Sequence, residues 1–390
     1  MTTQSAKMRK ILVLAIVAIL LSISIAGGLV LSGSGIVGWN EADLVSPTMN
    51  AIEHPAVSIP GPLTSSHRES SWILEWLLSE IYVTYGGVAW ISLNNTGSNP
   101  LFVYGLSMRW TDTAINCSRP ANALIEAGET VEIGMLSFAA PSTSGHHLYS
   151  IQLEIAVGLP NGMWFDSGST SISREAQVIV ATSSTNFSTY HNSPKYFDKI
   201  NKLVDFSITA AVAQEIKDRF PGEYSMMQIV GAYEWVRRNI QYVTDAEDYW
   251  QSANETLSMK TGDCEDQAIL LVSLIGELGG NGRVNVIEGH AFPTVFVGKN
   301  ASVLPDIRDA VASYYWVNAT SLHLTYFSDE SGIWLVIDSV GVPYAGGLPS
   351  LSVPSPSLSW GDSWTFQSST WCHAIDANGM ISGGGWLPFL

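Results

Sequence analysis

Three side chains in the second half of this 390-residue chain have the types and the order that thiol chemistry needs: Cys264, His290 and Asp338. A cysteine attacks as the thiolate, so it requires a basic partner. An imidazole can serve, and a carboxylate behind it fixes the tautomer. Cys264 stands in Thr261-Gly262-Asp263-Cys264-Glu265-Asp266-Gln267-Ala268, with a mostly apolar run from Ile269 to Ile275 behind it. Gly262 supplies backbone freedom, Asp263 is a good N-cap, and Asp266 sits three positions later, near where a capping box places its second acid. The run predicts a buried helix with Cys264 at its first position. There the unpaired N–H groups and the positive dipole end favour a thiolate, and they suit an oxyanion on an attacked carbonyl. Asp263, Glu265 and Asp266 work against the thiolate, so a reactive Cys264 needs His290. Gly289-His290-Ala291 is expected to open a strand, and Asp338 to close the strand Trp334–Asp338.

Taken singly, each residue has a plainer reading. A lone cysteine is usually a small buried hydrophobe. A lone His290 fits a core histidine, and a lone Asp338 a turn residue at a strand end. Only the set points to catalysis. Asp263 and Asp266 are expected to support the helix start, Asp266 structurally. Trp250, upstream of Cys264, fits a groove wall or the core. Cys372 precedes His373, but adjacent side chains seldom converge on one ion, and paired zinc-ribbon spacing is absent. No metal or other cofactor is expected. Cys117 and Cys372 either pair or stay free.

These segments resemble the transglutaminase-like superfamily of Cys-His-Asp enzymes, with a papain-like fold, and in particular its exported prokaryotic members. The family's G-x-C-x-D-x-A segment opens a helix and is matched by Gly262, Cys264, Asp266 and Ala268. Its Gly-His-Ala stretch is matched by Gly289, His290 and Ala291, and its acid by Asp338. Trp235–Thr244 and Glu255-Thr256-Leu257 are similar to the family's approach to the cysteine. The resemblance covers about residues 200–345. It implies a thiol hydrolase or acyltransferase with Cys264, His290 and Asp338 as its triad. Where many members carry Trp after His-Ala, this chain has Phe292 and then Pro293, which predicts an edge strand or a bulge there.

The elements that must hold these residues fall into blocks. Residues 1–10 form a basic tip with Lys7, Arg9 and Lys10. Residues 11–35 read as a transmembrane helix, with positive charge inside and the body outside. A signal peptide cleaved near Ser24-Ile25-Ala26 is the alternative. Residues 36–74, with Pro, Gly and Ser, are expected as a spacer. Residues 75–182 alternate: Ile151, Leu153 and Ile155 with Gln152 and Glu154 between them. Short strands at this spacing, among them Val131–Phe138, Gly162–Asp166 and Ala176–Ala181, predict an all-β sandwich of immunoglobulin-like type. Residues 183–199 read as a linker. Residues 200–390 are expected as an α+β domain: helices at 208–219 and 225–240, then strands at 284–287, 294–297, 315–318 and 334–337, then an unassigned extension from Gly347.

Composition narrows the function. The net charge is −17, and no basic stripe follows residue 10, which argues against nucleic-acid binding. N-x-Ser/Thr triplets at Asn94, Asn116, Asn186, Asn254, Asn300 and Asn318 mark glycan acceptors if the host glycosylates. The expectation is a single-pass membrane protein with its catalytic domain extracellular, attacking amide or isopeptide bonds of surface proteins or peptides. Hydrolysis, as by a cysteine peptidase, and acyl transfer use the same residues. The alternative is a non-catalytic adhesion or assembly module that keeps the fold. Peptide deglycosylation is a weaker third idea.

Overall fold

Residues 38–83, 85–180, 188–244, 249–347 and 371–378 are described by a computed structural model. The chain divides into two units, Met1–Asn40 and Glu41–Leu390. The basic tip and the expected membrane segment lie outside the described residues. Among the described residues, no helix is long and apolar enough to cross a membrane.

Alternating burial makes the first half of the second unit a sandwich. Ile151, Leu153 and Ile155 are buried while Glu154 is exposed, so one face of their strand turns inward. Nine strands follow this logic: β1 (Leu63–Thr64), β2 (Trp72–Leu78), β3 (Ile81–Tyr82), β4 (Gly87–Asn95), β5 (Leu101–Trp110), β6 (Asn116–Ile125), β7 (Thr130–Phe138), β8 (Gly145–Gly158) and β9 (Trp164–Ile179). One sheet runs β1-β9-β8-β5-β6, with β3 also on β9; the other runs β2-β4-β7. The two share a core in which Trp110 meets Phe138 and Tyr149 edge to face. The stretches expected as separate strands at 162–166 and 176–181 belong to one continuous β9. Its face is rich in Ser and Gly, so its hydrophobic signal is weak, yet β8 pairs along its whole length.

Helices and a second sheet follow. The helices are α1 (Pro194–Leu203), α2 (Ala210–Arg219), α3 (Met226–Asn239), α4 (Ala253–Met259), α5 (Cys264–Leu278) and α6 (Leu304–Tyr315). The strands are β10 (Ser188–His191), β11 (Gln241–Tyr242), β12 (Thr261–Gly262), β13 (Gly282–Ile287), β14 (His290–Gly298), β15 (Tyr326–Asp329), β16 (Gly332–Val336) and β17 (Trp371–Asp376). Six of them form a sheet ordered β10-β17-β13-β14-β16-β15. Helix α5 is buried on nearly every side, as its all-round apolar sequence requires. It stops at Gly279, whose φ of +99° suits glycine, and Gly280 N–H closes the turn on Ile275 O. The α5 side of the sheet carries the main core. The opposite face carries Ile287, Phe292, Val336, Val340, Val342 and Cys372.

Several expectations change. Residues 315–318 are not a strand: Tyr315 ends α6, and Trp316 caps it with φ +55°. The aromatic, β-branched Tyr314-Tyr315-Trp316-Val317 reads as β locally, but Ile307, Ala310 and Val311 recur at helical spacing and pack into the core. Within 183–199, Ser188–His191 pair in parallel with β17, and α1 begins at Pro194. Strand β17 itself comes from the extension left unassigned. Residues 41–59, within the expected spacer, lie on the body: Thr48 N–H donates to Tyr224 O at 2.9 Å, Ile52 N–H to Ser313 Oγ at 3.1 Å, and His54 stacks on Trp316. Pro293 sits inside a central strand rather than at an edge. It pairs with Val284 of β13, and Ile337 N–H reaches Pro293 O on the other side, where β16 is just departing.

The sandwich docks on the helical half through the outer face of its smaller sheet. Val88 and Met135 enter the main core, and Trp90 Nε1–H donates to Pro343 O at 2.9 Å. Arg237 lies over the Trp90 ring, and both Arg237 and Arg238 pair with buried Glu234.

Candidate active site

The turn that presents Cys264 is built from backbone hydrogen bonds to one carboxylate. Asp266 Oδ2 accepts from Asp263 N–H at 3.3 Å, and Oδ1 accepts from Gln251 N–H at 2.7 Å. Asp266 is therefore a structural acid that ties the helix start to the segment before α4. Gly262 is required by closeness: a Cβ there would stand 2.7 Å from Asp266 Cβ. With Asp263 as N-cap, Cys264 is the first residue of α5 and keeps partial exposure, whereas Cys372 is 2 % exposed.

His290 is placed by a tight hairpin. Ile287 pairs with His290 across the turn Glu288-Gly289, where Gly289 has φ +75°. Carbonyls and N–H groups alternate sides along a strand, so Ala291 and Pro293 direct theirs toward β16. Strand β16 has ended by then, and the gap is filled by the head of α5: Ala291 N–H donates to the Cys264 sulfur. The strand that carries His290 thus touches the thiol.

Asp338 lies two residues past β16. Its Oδ2 is 2.8 Å from His290 Nε2, and its Oδ1 accepts Val340 N–H at 2.9 Å. Both partners are buried, His290 at 6 % and Asp338 at 1 % exposure. A carboxylate only accepts, so Nε2 carries the proton and Nδ1 is the basic nitrogen of the neutral ring. Phe292 stacks on the imidazole with centroids 5.9 Å apart and holds its plane.

The electrostatics oppose a resting thiolate. Burial, and next the Glu265 carboxylate, push the Cys264 thiol well above its ordinary range; the Ala291 N–H acts the other way. The thiol donates to Glu265 Oε2 at 3.1 Å. Glu265 is itself raised, first by burial. Tyr242 is also part of this surround: burial raises its phenol first, followed by the charges of Cys264, Asp263, Glu265 and Asp338. Tyr242 reaches this position because β11 pairs with β12, setting it opposite Gly262.

The structure therefore pairs His290 with Asp338, brings the strand that carries His290 to the Cys264 end of α5, and sets Asp263 and Asp266 at the helix start. Trp250 is drawn into the main core, stacked on Tyr196 and with Lys199 Nζ 3.7 Å from its ring centre. Sequence reasoning missed the thiol–Glu265 hydrogen bond, Tyr242 and the Gln267–Ser339 contact. Of these, Tyr242 lay in a stretch already singled out, Trp235–Thr244.

Ligand atoms of Asp263, Cys264 and Glu265 lie within 4.8 Å of one another, and no further His, Cys, Asp or Glu among the described residues joins them. The thiol–Glu265 hydrogen bond and the adjacency of the three residues in the chain account for that spacing. Cys372 and His373 point to opposite faces of β17, one into the Phe292 cluster and the other onto Tyr190 and Tyr196, so they share no ion. Cys117 and Cys372 are free thiols in separate cores, each pushed up to about 12 by burial.

Similar solved structures include a provisionally assigned cysteine protease of Cytophaga hutchinsonii, at 11% identity and TM-score 0.22, covering 58% of this chain and 76% of that one. A provisionally assigned protease of Parabacteroides distasonis overlaps at 10% identity and TM-score 0.22, covering 57% and 65%. No curated protein matches the sequence. The sequence profile of the transglutaminase-like superfamily matches residues 210–319, a span that includes Cys264 and His290 and stops short of Asp338. These residues, from α2 to the turn after α6, belong to the transglutaminase-like superfamily.

Proposed function

We propose that this chain is a thiol enzyme that attacks amide or isopeptide bonds of proteins or peptides, with Cys264 as nucleophile, His290 as base and Asp338 as the orienting carboxylate. The observation that carries the reading is the buried His290–Asp338 pair on a strand whose next N–H meets the Cys264 sulfur. The thiol proton passes to His290 Nδ1, and sulfur bonds to the carbonyl carbon. The adduct collapses by breaking the C–N bond; the amine leaves with that proton, and a thioester remains. Water activated by the same imidazole releases the acid and restores the thiol. An amine acceptor instead forms a new amide. Residues 11–35 anchor the chain in a membrane on this reading, with the body outside, on the strength of Lys7, Arg9 and Lys10 before an uncharged run.

One observation favours a different class. A carboxylate held on the thiol suits a protein that does not need the thiolate, such as an adhesion or assembly module. Iodoacetamide alkylation of Cys264 in the full-length chain across pH, compared with His290→Ala, separates the two. A thiol–imidazole pair gives alkylation near pH 7, well below the ordinary thiol pKa of roughly 8.5, and loses it in the variant. A Cys264 that is inert, or indifferent to His290 while the chain stays folded, makes the module reading correct.

A further inference from the structure

Asp338 poses a mechanical problem. Strand β16 ends at Val336, so the ladder that aligns it with β14 does not extend to the carboxylate. The last backbone bond on that side, from Ile337 N–H to Pro293 O, stops one residue short of the acid, so the ladder by itself does not hold the loop that carries Asp338 against the head of α5. Something must tie the loop after β16 to the head of α5.

Gln267 provides that tie. It lies three residues after Cys264, one turn along the same side of the helix, and is 3 % exposed. Its Oε1 accepts from Ser339 Oγ–H at 2.8 Å, and Ser339 is the residue next to Asp338. Its Nε2 donates to Gly262 O at 3.2 Å, the carbonyl just ahead of the helix cap. A backbone carbonyl only accepts, so the Gly262 contact fixes which end of the amide is nitrogen and leaves the oxygen for the serine. One buried side chain therefore bridges the turn that carries the nucleophile and the loop that carries the acid, residues 72 apart in the chain. A buried amide satisfied at both ends makes a stiff, orientation-specific strut, which an apolar side chain of equal size does not.

We propose that Gln267 and Ser339 are a positioning pair that sets the His290–Asp338 unit against Cys264. Neither touches the reacting atoms; both act through Asp338. The inference rests on the triad reading above, and the test keeps the two apart.

The readout is the alkylation rate of Cys264 by iodoacetamide from about pH 6 to about pH 10.5, the span over which an ordinary thiol ionises, in the full-length chain. Gln267→Met and Ser339→Ala are compared with Ser339→Thr, His290→Ala and the double variant. The expected result is a fall on the order of 10-fold near pH 7 in Gln267→Met and Ser339→Ala, because misplacement disables the imidazole. The rate at the high-pH end, where hydroxide rather than the imidazole takes the thiol proton, stays unchanged. Ser339→Thr keeps the hydroxyl and the wild-type profile. The double variant falls no further than the worse single, since both remove the same contact. A purely structural role would instead loosen the site and raise alkylation at every pH, and that result overturns the proposal. So does an unchanged profile in both single variants while His290→Ala loses reactivity. If His290→Ala is itself without effect, the triad reading fails, and the proposal with it. Should Gln267→Met not fold, Ser339→Ala removes only a half-buried hydroxyl and decides the matter alone.

Discussion

The residue that most shapes the chemistry of Cys264 is its neighbour in sequence. Glu265 is 5 % exposed, takes the thiol's hydrogen bond, and is second only to burial in pushing the thiol up. A negative charge beside sulfur disfavours the thiolate, so removing the charge must lower the pH at which the thiol ionises. Glu265→Gln keeps the shape and drops the charge. Its alkylation profile at Cys264 is expected to move to lower pH by about 1. An unmoved or upward-moving profile shows that Glu265 does not govern the thiol. The groups that face this pair are Asp263 and Asp266 on the same turn, Tyr242 from β11, and the Ala291 N–H from β14. Much of this was readable beforehand. Asp263 before Cys264 and the apolar run behind it determine a helix head locally. The contact between Cys264 and Glu265 was not, because a residue at i+1 on a helix normally points about 100° away. Only the packing around the first turn turns that carboxylate back onto the sulfur.

At the level of elements, the site depends on the meeting of α5 with β14. The place of β14 was partly legible: Gly289-His290-Ala291 was expected to open a strand and residues 294–297 to form one, and both fall on His290–Gly298. Pro293 misled the edge-strand expectation, since its missing donor falls on the side where β16 has already turned away. The strands β10 and β17 were invisible as a pair because their partnership spans the chain from residue 188 to residue 376, and no local pattern encodes such a distance. The close approach at the head of α5 makes a firm prediction. Gly262→Ala places a methyl 2.7 Å from Asp266 Cβ, and backbone must shift to admit it. Overpacking of this kind costs about 1–3 kcal/mol. The variant is expected to lose that much stability in urea unfolding, together with Cys264 reactivity near neutral pH. Wild-type stability with wild-type reactivity sinks this account of the turn.

For the molecule as a whole, the sandwich and the helical half of residues 41–390 share buried surface rather than hang on a linker. Val88 and Met135 sit in the same core as α3 and α6, and Glu234 beneath them accepts from Arg237, Arg238 and Tyr315. Trp90 ties this junction together: it donates to Pro343 O, meets Tyr315 edge to face at 5.8 Å, and lies under Arg237. Trp90→Ala is expected to cost about 3 kcal/mol, read as a lower urea midpoint, and to split one unfolding transition into two. A single transition at the wild-type midpoint makes the junction energetically idle.

The sequence by itself determined what depends on short-range patterns. Alternation over 151–155 made a half-buried strand, the cap and apolar run at 263–275 made a buried helix, and Gly-His-Ala at 289–291 opened a strand. Each follows from hydrogen-bonding and hydrophobic periods that act within a few residues. The tertiary structure alone decided what depends on meeting. It laid residues 41–59 on the body, drew Trp250 into the core, pressed Glu265 against the thiol and strung Gln267 to Ser339. Those contacts join segments, or turn side chains, according to which surfaces exclude water together, and that is settled only when the whole chain has packed.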